Sequence, residues 1–417
     1  MSDLLLRGAR VLDVVAGVYR DDHDVLVRAG RITAVGRGLA ADEVPAVDLT
    51  GRTLLPGFID CHVHLLAVTA DLASLHTASP MYVAAQAAVL MREMLARGFT
   101  SVRDNAGADY GLAQAQADGL LPGPRVFFCG RALSQTGGHG DSRRRGQHTI
   151  DAHPGSPVMT RVVDGVDAIR QAAREELRNG AHHIKIMVSG GVASPTDEVD
   201  ATQYSLEEIR AVVEEAEAAG KYVSAHAYPG SAISRAVRCG VRSIEHGNLL
   251  DEESLRLMVE HGTFLTPTLT TYWALKAEGP QWGLPPESHA KVDAVLDAGL
   301  DALRLAHRAG VKLCYGTDCL GGMQRHQLRE FAIRAQVQPA IEVIRAATVN
   351  AAELLGRSGQ LGVIAEGAHA DLVVVDGDPL ADISALIPAD GKQPAVIQAG
   401  RVVSGRPSKV DSPIRPA

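Results

Sequence analysis

The middle of this chain alternates short apolar runs with amphipathic helical stretches, and this alternation constrains the possible folds more than any single motif does. Each helical stretch leads directly into the next apolar run, which is typical of βαβ units and a parallel sheet. We predict eight strands, at residues 56–64, 98–104, 125–134, 182–190, 221–228, 242–247, 263–269 and 312–318. This number of units predicts an α/β fold in which residues 56–365 form a (β/α)8 TIM barrel.

The two ends of the chain have a different pattern. Residues 1–55 contain short β-rich runs separated by glycines and charged residues. Residues 366–417 return to the same pattern, with the runs ADLVVVDGDPL and AVIQAGRVVSG. We therefore expect both ends together to build one small β-sandwich domain beside the barrel.

Composition and charge argue against several classes of partner. The net charge is −8 and the pI is near 6.1, so neither nucleic acid nor an anionic membrane is an expected partner. No run approaches the roughly 18 apolar residues that a membrane span needs. The five cysteines form no C-x-x-C pair, which favours a reducing, cytoplasmic setting. We expect a homo-oligomer that acts on a small molecule.

Ligand-type side chains occupy the predicted strands, mostly at their ends, where the chemistry of such barrels takes place. The first strand ends in two histidines at positions i and i+2, whose side chains point to the same side. The whole set comprises His62, His64, Lys185, His226, His246 and Asp318. Each residue alone has an ordinary structural explanation. Several imidazoles and one carboxylate at the same end of a barrel, however, form a metal-ligand arrangement.

Lys185 is the exception in this set. An ammonium group in an apolar strand is costly to bury, and a cation would repel a metal ion. Lys185 must therefore be neutral in such a pocket or be converted chemically to an anion.

Taken together, several segments resemble the metal-dependent amidohydrolase superfamily, and they follow one another in order over nearly the whole chain. The segments are GFIDCHVH, IKIMVSGG, VSAHAY, SIEHG, YGTD, TVNAAELLG and ADLVVVDGDP. The resemblance implies two divalent metal ions, most often zinc, at the mouth of the barrel. It implies that His62, His64 and Asp318 bind the more buried metal, and that His226 and His246 bind the second.

The same resemblance implies that Lys185 is N6-carboxylated and bridges both metals, which would resolve its charge problem. All six expected ligands are present in the sequence. Their presence argues against the alternative of a non-catalytic scaffold with this fold.

A closer similarity, carried by RDNAG, GGHGD and HAYP, is to imidazolonepropionase-related dipeptidases. It implies hydrolysis of the C-terminal amide bond of an Xaa-Pro-like dipeptide or of an N-acyl amino acid. The alternative substrates are a xenobiotic amide or carbamate, of mycotoxin or pesticide type, and a cyclic amide or imidazolone ring. The sequence leaves the side-chain preference and the native metal open.

The expected mechanism is attack of a metal-bridging hydroxide on the amide carbonyl. The resemblance favours Asp318 as both a ligand and the group that passes the hydroxide proton to the leaving nitrogen. Tyr228 follows His226 by two residues, and we expect its hydroxyl to donate to a substrate carbonyl or carboxylate. His139, in a glycine-rich loop, is a candidate for holding the same groups, and an ordinary loop histidine fits nearly as well.

Other segments have structural explanations that compete with functional ones. The stretch 134–163 is long for a βα loop and is a candidate lid. The arginines at 143–145 within it suit an acidic substrate end, but a solvated charge run is favoured. For RDN at 103–105 we favour a structural role, with an internal ion pair as one possibility. The segment TTYWALKAEGPQWGLPP predicts either a substrate wall or a surface loop.

Overall fold

The computed structural model of the protein describes residues 3–41, 44–149, 155–387 and 393–407. Its strands are β1 (Leu4–Asp13), β2 (Val18–Arg28), β3 (Arg31–Gly36), β4 (Ala46–Asp48), β5 (Thr53–Pro56), β6 (Phe58–Val63), β7 (Phe99–Asp104), β8 (Arg125–Phe128), β9 (Ala132–Ser134), β10 (Thr160–Val162), β11 (Ile184–Met187), β12 (Val223–Pro229), β13 (Ser243–Leu249), β14 (Phe264–Thr266), β15 (Lys312–Leu313), β16 (Leu372–Val375), β17 (Ala395–Gln398) and β18 (Arg401–Ser404). Its helices are α1 (Pro80–Ala96), α2 (Tyr110–Ala117), α3 (Val166–Arg178), α4 (Leu206–Ala218), α5 (Gly230–Arg238), α6 (Glu252–His261), α7 (Leu269–Glu278), α8 (Pro286–Ala309), α9 (Arg329–Arg334), α10 (Ala340–Ala346) and α11 (Val349–Leu354). Short 3₁₀ helices lie at Leu72–His76, Gly279–Trp282, Gly321–His326 and Ile383–Leu386.

Strands from both ends of the chain pair in one mixed sheet, in the order β18-β17-β16-β5-β1-β2-β3, with β4 beside β1. The junction is β5, which runs parallel to β1 and antiparallel to β16. Apolar side chains from both ends, among them Leu6, Val25, Leu54 and Val374, are buried in the same cluster. The two ends of the chain therefore fold together.

The strands between residues 58 and 313 run parallel in two sheets, ordered β6-β7-β8 and β10-β9-β11-β12-β13-β14-β15. Helices separate successive strands along most of this region, so the predicted α/β class is confirmed. The backbone that follows β15 contacts β6, where the Cys61 N–H donates to the Tyr315 carbonyl at 2.8 Å. The Asp318 N–H likewise donates to the His62 carbonyl at 2.8 Å.

The strand limits differ from the predicted ones in two informative places. The run 125–134 is two strands, because Gly130 between them has φ of 74°, a left-handed backbone that cannot continue a strand. The candidate lid at 134–163 contains an unpredicted strand, β10, which pairs with β9. Residues 150–154 of that segment lie outside the described residues.

The end of each helix fixes where the following strand begins, as α4 and β12 illustrate. In α4, the Ser205 side chain accepts from the Glu208 N–H and the Glu208 side chain accepts from the Ser205 N–H, a capping box worth about 1 kcal/mol. Ile209 and Val212 are buried on the inner face of this helix. Gly220, with φ of 67°, then turns the chain into β12, which carries His226.

Among the described residues, no helix has the length and apolarity needed to cross a bilayer.

Candidate metal centre and active site

The carboxyl ends of the middle strands converge on one cavity of about 60 Å³. Its lining contains all the residues that the sequence singled out for chemistry. They are His62, His64, His139, Lys185, His226, Tyr228, His246 and Asp318. These residues are far apart in the sequence and come from four strands and three connecting segments, so the fold alone brings them together.

Four of the imidazoles form a continuous row. The ring centroids are 5.3 Å apart for His64 and His62, 4.9 Å for His62 and His246, and 4.6 Å for His246 and His226. Asp318 closes one end of the row, with its Oδ1 atom 3.1 Å from His64 Nε2 and 3.5 Å from His62 Nε2. Candidate ligand atoms of His62, His246 and Asp318 all lie within 4.8 Å of one another. This spacing suits a shared cation.

Each of these histidines uses one ring nitrogen to contact the protein, which leaves the other nitrogen available to a ligand. This pattern is typical of metal-binding histidines, since the outer contact fixes the ring and its tautomer. The contacts run from His62 Nδ1 to Glu245 Oε2 at 2.8 Å, from His64 Nδ1 to the Ala106 carbonyl at 3.1 Å, from His226 Nε2 to the Gly190 carbonyl at 2.9 Å, and from His246 Nδ1 to Thr268 Oγ1 at 2.8 Å. The donor set therefore fits one or more divalent metal ions.

Burial favours the neutral form that ligation requires in three of the four histidines; in His64 burial also lowers the pKa, but the Asp318 carboxylate raises it overall. Removal from water lowers the pKa of His62, His226 and His246 well below the usual histidine value. Lys185 is only 2 % exposed, and burial lowers its pKa to about 8, an effect that Glu245 partly opposes. The charge problem that the sequence raised for Lys185 is therefore present in the fold.

Two residues of the cavity have strained backbones. His246 has φ of 75° and Asp318 has φ of 52°, although neither is glycine. A left-handed conformation costs a non-glycine residue about 1–3 kcal/mol and tends to persist where function needs a particular side-chain direction. The strain therefore falls on two of the candidate ligands.

The comparison with known families agrees with this geometry. The model of the Amidohydrolase family matches residues 53–403 of the chain. This chain belongs to the amidohydrolase family. It is a hydrolase that acts on amide bonds.

Three relatives indicate where it lies in that family. Ochratoxinase of Aspergillus niger is 36% identical over 345 residues, which cover 79% of this chain and 71% of the relative. The crystal structure of the A. niger ochratoxinase has a TM-score of 0.84 and 30% identity, with 97% of this chain and 96% of the other covered. A prolidase complexed with N-methylphosphonate-L-proline has a TM-score of 0.93 and 50% identity, with 96% and 99% covered. An Xaa-Pro dipeptidase with bound methionine has a TM-score of 0.83 and 29% identity, with 96% and 99% covered. The amidohydrolase is thus similar both to prolidase-like enzymes and to an ochratoxinase.

A buried ion pair behind His62 was not recognised as part of the site from the sequence. Arg103 Nη2 lies 2.7 Å from Glu245 Oε1, and both side chains are fully buried. Burial would raise the pKa of Glu245, but Arg103 and Lys185 hold it below its usual value. Asp104, in contrast, accepts a hydrogen bond from the Leu65 N–H at 2.7 Å. The structural role expected for RDN therefore holds, with one addition: through Glu245, Arg103 also fixes a candidate ligand.

Replacing Glu245 with glutamine is expected to lower the free energy of unfolding by about 3–5 kcal/mol, because Arg103 would keep a buried charge without its counter-ion. The affinity for zinc should fall about 10–100-fold, since His62 loses its charged partner. Denaturant unfolding of the metal-free protein and chelator competition measure the two effects. Glu260→Gln, which removes an exposed partner of Arg256, is the matched control. Equal stability of the two variants would contradict the assigned role.

His139 is held in the cavity by a loop that the sequence did not connect to it. Its ring stacks on His226 with centroids 4.1 Å apart, and its Nδ1 lies 2.9 Å from Ser194 Oγ. The ring also lies against Gly191, where an added Cβ atom would come within 2.2 Å of its Cε1 and Nδ1 atoms. Lys291 of α8 ties the same loop down by donating to the Gly191 and Ser194 carbonyls at 3.2 and 3.0 Å. His139 is therefore a fixed part of the cavity wall.

The arginines at 143–145 have separate environments. Arg143 makes two contacts to the Asp141 carboxylate, at 2.7 and 2.6 Å. Arg144 lies 3.3 Å from Glu287 at the start of α8, and Arg145 is exposed. Two of the three thus have protein carboxylates as partners.

The segment TTYWALKAEGPQWGLPP forms most of α7 and a 3₁₀ helix, and it lines the cavity. Its Tyr272 is buried, with its hydroxyl 3.1 Å from that of Tyr228. Of the two alternatives for this segment, the structure therefore favours a wall of the cavity.

Proposed function

We propose that this amidohydrolase cleaves the C-terminal amide bond of Xaa-Pro-like dipeptides or N-acyl amino acids, at a two-zinc centre on a closed (β/α)8 barrel. The observation that carries the proposal is the single cavity that gathers four strand-end imidazoles, a carboxylate and a buried lysine. The similarity to a prolidase over 96% of the chain supports the dipeptide class.

In this proposal His62, His64 and Asp318 hold one metal, and His226 and His246 hold the other. Burial lowers the pKa of Lys185 and so favours the neutral amine, the form that can add CO₂ and lose a proton to become carboxylated. The carboxylated side chain would supply an anionic ligand for both metals. When bound, the two metals would activate a water molecule at neutral pH and polarise the scissile carbonyl.

The protein side chains supply the remaining steps. Asp318 accepts a proton from the attacking water and delivers it to the leaving nitrogen, a role that suits a carboxylate beside two imidazoles. The Tyr228 hydroxyl donates a hydrogen bond to a substrate carbonyl or carboxylate oxygen. His139, which stacks on His226 and lies against Gly191, contacts the substrate from the cavity wall.

A second candidate is hydrolysis of a mycotoxin-type amide, which the identity of 36% to A. niger ochratoxinase favours. A neighbouring pocket of about 110 Å³ shares His64, His139 and Met187 with the metal cavity. Leu72 and Met159 line this outer pocket, and their apolar surfaces suit a bulky acyl group.

The test is a substrate panel with zinc-loaded protein and detection of the released amino acid. The panel pairs L-Xaa-L-Pro dipeptides with N-acyl amino acids, including aromatic acyl groups, and with the same amides lacking the terminal carboxylate. We expect kcat/KM of at least about 10⁴ M⁻¹s⁻¹ for one carboxylate-bearing class and loss of activity after chelation. Absence of turnover in the whole panel, with two metals bound per chain, would contradict the proposal.

A further inference from the structure

A row of hydroxyl groups connects a candidate metal ligand to the substrate-facing tyrosine. His246 Nδ1 lies 2.8 Å from Thr268 Oγ1. Thr268 Oγ1 lies 3.4 Å from the Tyr272 hydroxyl, and that hydroxyl lies 3.1 Å from the hydroxyl of Tyr228. The link between Thr268 and Tyr272 is the longest of the three.

All members of this row are buried, with 0% of Thr268, 1% of Tyr272 and 3% of Tyr228 exposed. A hydroxyl group has a single proton, so a hydroxyl that accepts from one neighbour still has that proton to donate to the next. Because hydrogen bonds in a buried row strengthen one another, a donor at one end favours the same direction of donation along the row.

We propose that Thr268 and Tyr272 are positioning residues that pass the orientation of His246 to Tyr228, which makes Tyr228 a hydrogen-bond donor to the substrate. The inference rests on the proposed function, in which His246 holds a metal through Nε2. Ligation through Nε2 leaves the imidazole proton on Nδ1, and Nδ1–H then donates to Thr268 Oγ1. Thr268 donates to Tyr272, and Tyr272 donates to Tyr228.

The consequence concerns the class of group that Tyr228 contacts. Within the described part of the chain, Tyr272 is the hydrogen-bond partner of the Tyr228 hydroxyl. The oxygen of Tyr228 thus accepts from Tyr272, and its own proton is left for the cavity. The contacted substrate atom is therefore an acceptor, a carboxylate or carbonyl oxygen, and an N–H group is disfavoured there.

The first link is tested without any substrate, by zinc affinity in chelator competition. Thr268→Val removes the acceptor of His246 Nδ1–H and is expected to weaken zinc binding about 10–100-fold. Thr268→Ser keeps the hydroxyl and is expected to bind zinc as the unmodified protein does. Equal affinities of the two variants would overturn the inference whatever the substrate is.

The third link, between Tyr272 and Tyr228, is tested by a double-mutant cycle with Tyr272→Phe and Tyr228→Phe in the zinc-loaded protein. Tyr272→Phe is expected to lower kcat/KM about 5- to 10-fold, the size of one neutral hydrogen bond, with unchanged metal content. In the Tyr228→Phe background the same change should have no effect. An effect of equal size in both backgrounds would overturn the inference.

Tyr315→Phe is the matched control, because it also removes a buried tyrosine hydroxyl. That hydroxyl donates to the Gln327 carbonyl at 2.6 Å, and Tyr315 does not line the cavity. It should leave kcat/KM unchanged. If no amide in the panel is hydrolysed while Thr268→Val binds zinc more weakly than Thr268→Ser, the proposed function fails and the first link stands. If amides are hydrolysed and the cycle shows no coupling, the inference fails and the proposed function stands.

Discussion

Replacing Lys185 with alanine is expected to lower kcat/KM by at least about 10³-fold and to reduce the zinc content from about two ions per chain to one or fewer. The physical reason is the loss of the group proposed to lie between two clusters of imidazoles. Without it, two neighbouring cations would face each other across the cavity with Asp318 as the remaining anionic ligand in the proposed set. Elemental analysis of the purified variant and steady-state kinetics measure the two effects.

Lys185→Met separates this role from packing, because methionine is close in volume to lysine and preserves the core. We expect it to lose metal and activity as Lys185→Ala does. Added acetate should restore part of the activity of Lys185→Ala, where it finds space, and none of the activity of Lys185→Met. Lys312→Ala, which removes an exposed partner of Glu353, is the control for the loss of a lysine. A fully active, fully metallated Lys185→Met would contradict the bridging role.

Replacing Asp318 with asparagine is expected to lower kcat by about 10³–10⁴-fold with a much smaller change in KM, since the amide cannot accept a proton from water. Asparagine is a well-matched substitution here. It has nearly the same shape, it keeps one oxygen for ligation, and it tolerates the left-handed backbone of this position, with φ of 52°. Kinetics on the best substrate of the panel, normalised to bound metal, measures the effect.

Asp293→Asn removes an exposed partner of Lys276 and serves as the control for the same chemical change. It should retain the kcat of the unmodified protein. If Asp318→Asn kept more than about one tenth of that kcat with full metal content, another residue would have to be the proton carrier.

Much of the candidate site was predictable because one geometric rule applies to the ends of all the parallel strands. In parallel α/β units the carboxyl ends of the strands meet at one edge, so His62, His226 and His246 converge once their strands are identified. The alternation of residues along a strand places His62 and His64 on one side. The α/β class follows from the same periodicities.

The limits of individual strands were less predictable. The run RVFFCGRALS is apolar throughout, but the left-handed Gly130 divides it into β8 and β9. Beyond Cys314, whose N–H still donates to β14, the backbone hydrogen bonds of this segment include one from Cys61 of β6 to the Tyr315 carbonyl. Both outcomes depend on backbone dihedral angles and long-range hydrogen bonds, on which the apolar pattern of a short run carries no information.

The sequence by itself determined which residue types lie at the strand ends, and hence the fold class and the candidate ligands, because period and position along a strand are local properties. Only the tertiary structure determined which other side chains contact the residues of the candidate site. Glu245 reaches His62 across 183 positions of sequence, and Tyr272 reaches Tyr228 across 44. Such contacts depend on side-chain directions and distances in the packed core, which are fixed only when separate elements come together.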